Sequence, residues 1–221
     1  MERLSDLIKL IIFDYDGVIV DSFSGTYEAY KVIGKKLNKK IPETLEAFRK
    51  IYGYTYHECY ENLGIIPSEY EKAEAIYKEE TLKQEPKLFD GIKEVLKELK
   101  KYYTLVLVSA NYNQVIKKQL EKYGLSNIFD VILGKGSTIE LPVQKMGKFI
   151  KLMKQYKATQ EETVMIGDRE VDYNHAQEAG IKHKIIVEYG WGYNKEKLKE
   201  WKQKVIVHKP LDLIKAIETL V

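Results

Sequence analysis

Cysteine is nearly absent from this chain: Cys59 stands alone among 221 residues. A single thiol excludes an internal disulfide framework and fits a reducing compartment. Long apolar runs are missing too. No stretch reaches the roughly 20 residues that a membrane span requires. The apolar segment near the amino terminus follows Glu2, Arg3 and Asp6 and is broken by Lys9, unlike a secretory leader. Nor is one sign of charge in excess. Thirty-six basic groups face 33 acidic ones, a net charge of +3, which gives no general argument for nucleic acid or a membrane surface as partner. The four histidines, at 57, 175, 183 and 208, show no ligand-pair spacing, so a zinc site has little support. A cytoplasmic protein is expected, with neither nucleic acid nor membrane as partner.

What is present is a soluble globular balance, 44% hydrophobic and 31% charged, in a chain long enough for one substantial core and a smaller inserted unit. An apolar strand over 7–13 opens the pattern. Beyond Pro86, helices predicted over 91–101, 114–123, 148–156, 173–179 and 211–220 alternate with strands over 103–109, 129–134, 163–167, 184–188 and 205–207. Such alternation argues for a parallel sheet with helices on both faces. Residues 24–85 interrupt it with helical patterns over 26–37, 44–51 and 68–82, the last opened by a Ser68–Glu71 capping box. The expected organisation is an α/β core, residues 1–22 and 86–221, with residues 23–85 as a helical insert after the first strand.

The most specific stretch is Phe13-Asp14-Tyr15-Asp16-Gly17, where the opening strand stops at two carboxylates one residue apart. They fall just beyond the strand's carboxyl end, where open α/β sheets place ligands. Side chains at alternate positions lean the same way, and two acids so close repel unless a cation or shared proton intervenes. Asp-Gly by itself marks only a turn. Two later strands end in a similar manner. In Val108-Ser109-Ala110-Asn111 a turn could present Ser109 and the following amide to an anion, although serines end strands in many contexts. In Gly167-Asp168-Arg169-Glu170-Val171-Asp172 the acids at i, i+4 can face one direction, as a site or as a favourable helix start. A few hard oxygen donors suit Mg²⁺ rather than zinc. Lys145, Lys148, Lys151, Lys154 and Lys157 read as a solvated helix face, unless Lys145 or Lys148 supplies one anion-binding ammonium.

Residues 14–22, Asp-Tyr-Asp-Gly-Val-Ile-Val-Asp-Ser, resemble the nucleophile motif of the haloacid dehalogenase-like hydrolases. The form is that of their phosphoglycolate phosphatase and β-phosphoglucomutase branch. Gly167-Asp168 with Asp172 is similar to the family's metal motif. The resemblance implies a Rossmann-like core with a helical cap, and a Mg²⁺-dependent phosphatase acting on a small phosphorylated metabolite, phosphoglycolate-like or a sugar phosphate. It implies Asp14 as nucleophile and Asp16 as acid and base, with Ser109 and the Ala110 amide holding the phosphoryl group. Metal ligation would fall to Asp14, the Asp16 carbonyl and Asp168, with Asp172 supporting the site. The family lysine often precedes proline; here Leu141 precedes Pro142, and the distance to Asp168 points to Lys145 before Lys148. Ala110 separates Ser109 from Asn111, where relatives often carry Asn directly, and leaves the role of Asn111 open. Arg169 stands where a small hydroxyl residue is common.

Within the expected cap, residues 49–57 mix cations and aromatics around Gly53. Arg49 is a candidate for a second anionic group of the substrate, and Tyr54 and His57 for the pocket; the tyrosines equally suit packing inside a helical bundle. A phosphomutase of the same family and a non-catalytic binder of phosphorylated metabolites are the alternatives. A metal-free dehalogenase would need neither Asp16 nor the second acidic pair. The chain is expected to act as a monomer or homodimer.

Overall fold

Leu10-Ile11-Ile12-Phe13 forms β1 (Leu10–Phe13), whose four side chains are all fully buried. Such a run suits a strand covered on both faces. The computed structural model describes residues 7–53, 55–137, 145–199, 201 and 204–220. After β1 come the short β2 (Val20–Asp21) and the helices α1 (Phe23–Leu37), α2 (Leu45–Ile51) and α3 (Tyr56–Asn62). A 3-10 turn (Pro67–Glu69) leads into α4 (Tyr70–Lys83), followed by β3 (Lys87–Leu88), α5 (Ile92–Leu99), β4 (Thr104–Tyr112) and α6 (Asn113–Lys122). The chain continues as β5 (Val131–Lys135), α7 (Lys145–Gln155), β6 (Thr163–Gly167), α8 (Glu170–Glu178), β7 (His183–Val187), α9 (Lys195–Leu198), β8 (Lys204–Val207) and α10 (Asp212–Glu218).

Among the described residues, six parallel strands lie in the order β5-β4-β1-β6-β7-β8, the doubly wound α/β arrangement. β1 sits between β4 and β6, so the chain winds outward to one side and then to the other. The crevice at the carboxyl end of β1 is therefore the switch point, and Asp14 occupies it. Alternate residues divide the core. Ile11, Phe13, Leu105 and Leu107 pack with α5 and α10 residues such as Leu96 and Leu213, while Leu10, Ile12, Val106 and Val108 pack with Phe149 and Leu152 of α7. Thr163–Gly167 forms a strand with the predicted bounds, and no helix among the described residues is long and apolar enough to cross a membrane.

Contacts divide the chain into two compact units, Met1–Asp21 with Lys87–Val221, and Ser22–Pro86. β2 and β3 pair antiparallel, Val20 opposite Leu88, at the two points where the sheet unit's chain departs and returns. The helical unit has an aromatic core. Phe48 is fully buried, its ring centroid 5.1 Å from Tyr30 and 5.2 Å from Tyr27, and Tyr30 lies 5.8 Å from Tyr77.

One expectation for this unit is corrected. Ser68 and Glu71 do not box the start of α4. Pro67 at the head of a 3-10 turn advances the chain, and the Ile66 amide donates to the Glu69 carboxylate instead (3.0 Å). Residues 49–57 take in the end of one helix and the start of the next. α2 runs to Ile51, and Thr55 caps α3 by accepting from the Glu58 amide (3.1 Å).

Candidate active site

Asp14 continues the β1 ladder by one residue, its amide donating to Ile166 O (2.9 Å). The chain then turns sharply. Tyr15 O accepts from the amides of Val18, Ile19 and Val20, and Gly17 takes φ +82°, a conformation side chains disfavour. The turn leaves Asp14 buried and Asp16 partly exposed on the same crevice. The two strands β1 and β6 pair in register from Leu10–Thr163 to Phe13–Ile166, so Asp14 follows β1 directly and Asp168 comes one residue further along beside it, after Gly167. α8 then returns Asp172, whose Oδ2 accepts from the Arg169 amide (3.3 Å), an N-terminal helix cap.

One carboxylate oxygen from each of Asp14, Asp168 and Asp172 lies within 4.8 Å of the others, and all three residues are buried. Lys145, at the start of α7, places its ammonium 3.0 Å from Asp14 Oδ2 and 2.6 Å from Asp172 Oδ1. Lys148, one turn on, is half-buried, and burial followed by the neighbouring Lys145 charge lowers its basicity. The structure thus brings Lys145 to the acids. Burial alone would weaken the Lys145 ammonium, but the charges of Asp14 and Asp172 outweigh it and hold the proton more tightly than usual. Burial first, then Asp172, pushes the Asp14 carboxyl up to about 7 against the pull of Lys145. Burial, then Asp172 and Asp14, likewise raises Asp168 well above the carboxylate range. The cluster binds a proton or a further cation more readily than it bears its full charge.

The oxygens are not equally engaged. Asp172 gives one to Lys145 and one to the Arg169 amide. Asp168 Oδ2 accepts from the Gly192 amide (2.7 Å), whereas Asp168 Oδ1 is buried with no hydrogen-bond partner. A buried carboxylate oxygen without a donor is costly. Together with the all-oxygen donor set, that atom fits a hard divalent cation held by Asp14 and Asp168, with Asp172 orienting Lys145.

β4 departs from the strand predicted over 103–109. β4 runs to Tyr112, not Ser109. Its register against β5 slips, from Val108–Leu133 to Tyr112–Lys135, so four steps on β4 match two on β5. Ser109 and Asn111 are buried while Ala110 between them is exposed, as alternation along an extended chain dictates. Asn111 Nδ2 donates to both oxygens of Asp16 (3.3 and 3.1 Å), and Ser109 Oγ stands 3.4 Å from Asp16 Oδ2. The Asn111 amide in turn donates to Ser109 Oγ (3.0 Å). Asn111, whose role the sequence leaves open because Ala110 separates it from Ser109, is therefore a close neighbour of Asp16. The signal was its i, i+2 relation to Ser109. Gly134 makes room for the bulge, since a Cβ there would stand 2.7 Å from Asn111 O.

The remaining candidates belong to the helical unit or fall outside the described residues. The Arg49 guanidinium lies 4.8 Å from the Phe23 ring centroid, and His57 stacks on Tyr70 at 4.9 Å, both within that unit. Tyr54 lies outside the described residues. A cavity of about 440 Å³ opens at the opposite, amino-terminal edge of the strands, lined by Lys9, Lys100, Lys101, Tyr102 and Tyr156 among others. It holds none of the acids. Its lysines pair with Glu162, Asp130 and Glu98, which leaves little net charge to attract an anion.

Comparison with known proteins agrees with this geometry. Residues 11–186 match the model of the family described as haloacid dehalogenase-like hydrolase. The chain is 29% identical to the probable phosphatase IndB of Dickeya dadantii (strain 3937), covering 96% of this chain and 94% of that one. It is 27% identical to the tyrosine-protein kinase PtkA of Mycobacterium tuberculosis (strain ATCC 25618 / H37Rv), over 85% of this chain and 64% of that protein. Among solved structures, a predicted phosphatase from Clostridium acetobutylicum superposes with a TM-score of 0.82 at 28% identity, covering 96% of this chain and 99% of that one. With the doubly wound sheet, the acids at its switch point and a family match that spans most of the chain, this protein belongs to the haloacid dehalogenase-like hydrolases.

Proposed function

We propose that this hydrolase is a Mg²⁺-dependent phosphatase that cleaves a small phosphorylated metabolite, phosphoglycolate-like or a sugar phosphate, through an aspartyl-phosphate on Asp14. The observation that carries the reading is the buried triad of Asp14, Asp168 and Asp172, with an unpartnered oxygen on Asp168. Asp14 and Asp168 would hold the cation, which when bound supplies charge to offset repulsion between the nucleophile and an anionic ester.

The chain's own residues divide the remaining work. Asp14 attacks phosphorus as the carboxylate, and the ester oxygen departs with a proton from Asp16. Asp16, now a carboxylate, takes a proton from water as that water attacks the acyl phosphate, which releases inorganic phosphate and frees Asp14. Lys145 neutralises Asp14 before attack and faces the phosphoryl oxygens afterwards, and Ser109 offers a hydroxyl donor. Asn111 orients Asp16. In this reading the helical unit is a cap that selects the substrate, with Arg49, Tyr54 and His57 as its candidate contacts. Transfer to an organic hydroxyl rather than to water, as the name of the mycobacterial relative describes, would use the same first half-reaction.

The test is phosphate release from a panel of phosphorylated metabolites and p-nitrophenyl phosphate, with Mg²⁺ and with EDTA, beside Asp14→Asn. Turnover that needs the metal and disappears in the variant supports the reading. Absence of release from folded, metal-loaded protein across the panel contradicts it.

A further inference from the structure

Five residues after β7, Tyr189-Gly190-Trp191-Gly192-Tyr193, entered none of the motifs read from the sequence, yet they wrap Asp168. The segment starts from a fixed base: the Glu188 amide donates to Val207 O (2.8 Å). Tyr189 ties it to the turn after β1. Its hydroxyl donates to Val18 O (3.2 Å), and its ring centroid lies 4.8 Å from that of Phe89. Gly192 then donates its amide to Asp168 Oδ2 (2.7 Å).

The approach is too close for any side chain. A Cβ on Gly190 would stand 2.3 Å from Asp168 Cβ and 2.5 Å from Gly17 O. One on Gly192 would stand 2.7 Å from Asp168 Oδ2 and 2.3 Å from Arg169 Cγ. One on Gly17 would stand 2.0 Å from Asp168 Oδ2. Neither Gly190 nor Gly192 has a positive φ, so backbone conformation does not demand glycine there. Space around Asp168 does. Three glycines from two loops thus enclose one carboxylate, one amide holds one of its oxygens, and the other oxygen is left buried without a donor.

We infer that the 189–193 loop is a positioning element of the cation site, fixing Asp168 through the Gly192 amide so that Oδ1 is presented to a divalent metal. The inference rests on the reading of Asp168 as a metal ligand. Groups that hold a ligand in place typically contribute about 10- to 100-fold to metal affinity. Gly192→Ala pushes the carboxylate aside and weakens binding without removing a ligand.

The experiment is a calorimetric titration of the full chain with Mn²⁺, in parallel for the unaltered protein, Gly192→Ala and Asp168→Asn. Asp168→Asn should bind much more weakly, and Gly192→Ala about 10- to 100-fold more weakly. If Asp168→Asn loses affinity while folded Gly192→Ala does not, the loop has no positioning role and the metal reading stands. If Asp168→Asn binds as the unaltered protein does, or the unaltered protein fails to bind, the metal reading falls and takes the inference with it. Should Gly192→Ala fail to fold, as circular dichroism would show, Tyr189→Phe replaces it. That variant removes only the hydroxyl's bond to Val18 O, and a several-fold loss of Mn²⁺ affinity is expected. An unchanged affinity overturns the inference.

Discussion

The ammonium of Lys145 lies 3.0 Å from Oδ2 of Asp14, and both side chains are largely withdrawn from solvent. In a buried pair the loss of one partner costs more than the pair contributed, because the other charge stays uncompensated. Lys145→Met should therefore lower metal-free stability by about 3 kcal/mol at pH 8, measured by urea unfolding. The loss should shrink at pH 5, where Asp14 can take up a proton in place of the ammonium. A loss independent of pH would show that Lys145 acts through packing alone.

Stability of the metal-free protein should itself fall as pH rises. Burial and Asp172 lift the Asp14 carboxyl from 3.8 to about 7 in the folded state. Between those values the native protein holds a proton that the unfolded chain has released. Unfolding free energy then decreases with pH, by up to about 1.4 kcal/mol per unit, and levels off above 7. Mg²⁺ favours the carboxylate, so saturating metal should flatten the profile, and metal affinity should rise with pH up to about 7. Thermal melts from pH 5 to 8, with Mg²⁺ and with EDTA, measure both effects.

Asn111 reaches both oxygens of Asp16. Hydrogen bonds to a charged group contribute about 1.5–3 kcal/mol, so Asn111→Ala should reduce kcat by roughly 10- to 100-fold. KM should change little, since Asp16 acts on the leaving oxygen more than on binding. Steady-state kinetics on the best substrate of the panel separates the two; a change confined to KM would place Asn111 on substrate instead.

Much of the sheet was legible because period and composition agreed there. Residues 10–13 are apolar throughout, and 163–167 carry an apolar centre between Thr163 and Gly167; each run leads into an acid, and they form β1 and β6. The acids at their ends were legible as a recurring strand-then-carboxylate pattern. Less visible were features that depend on the partner strand. The slip of β4 against β5, which brings Asn111 to Asp16, follows from pairing and not from local propensity. α3 was hidden by Gly53 and by the aromatic run that precedes it, while Thr55 as its cap was the available clue. The 189–193 loop escaped for another reason. Its glycines answer to Asp168, which is 22 residues from Gly190 in sequence, and no spacing rule marks such a close approach.

In the proposed mechanism Asp14 carries the phosphoryl group during turnover. Acid quenching of the metal-loaded enzyme during steady-state turnover, followed by mass spectrometry of the peptide that contains residues 10–20, tests it directly. A phosphoryl adduct on Asp14, sensitive to hydroxylamine and missing in Asp14→Asn, is the expected result. Sustained turnover with no adduct, or with the adduct on another residue, would contradict it.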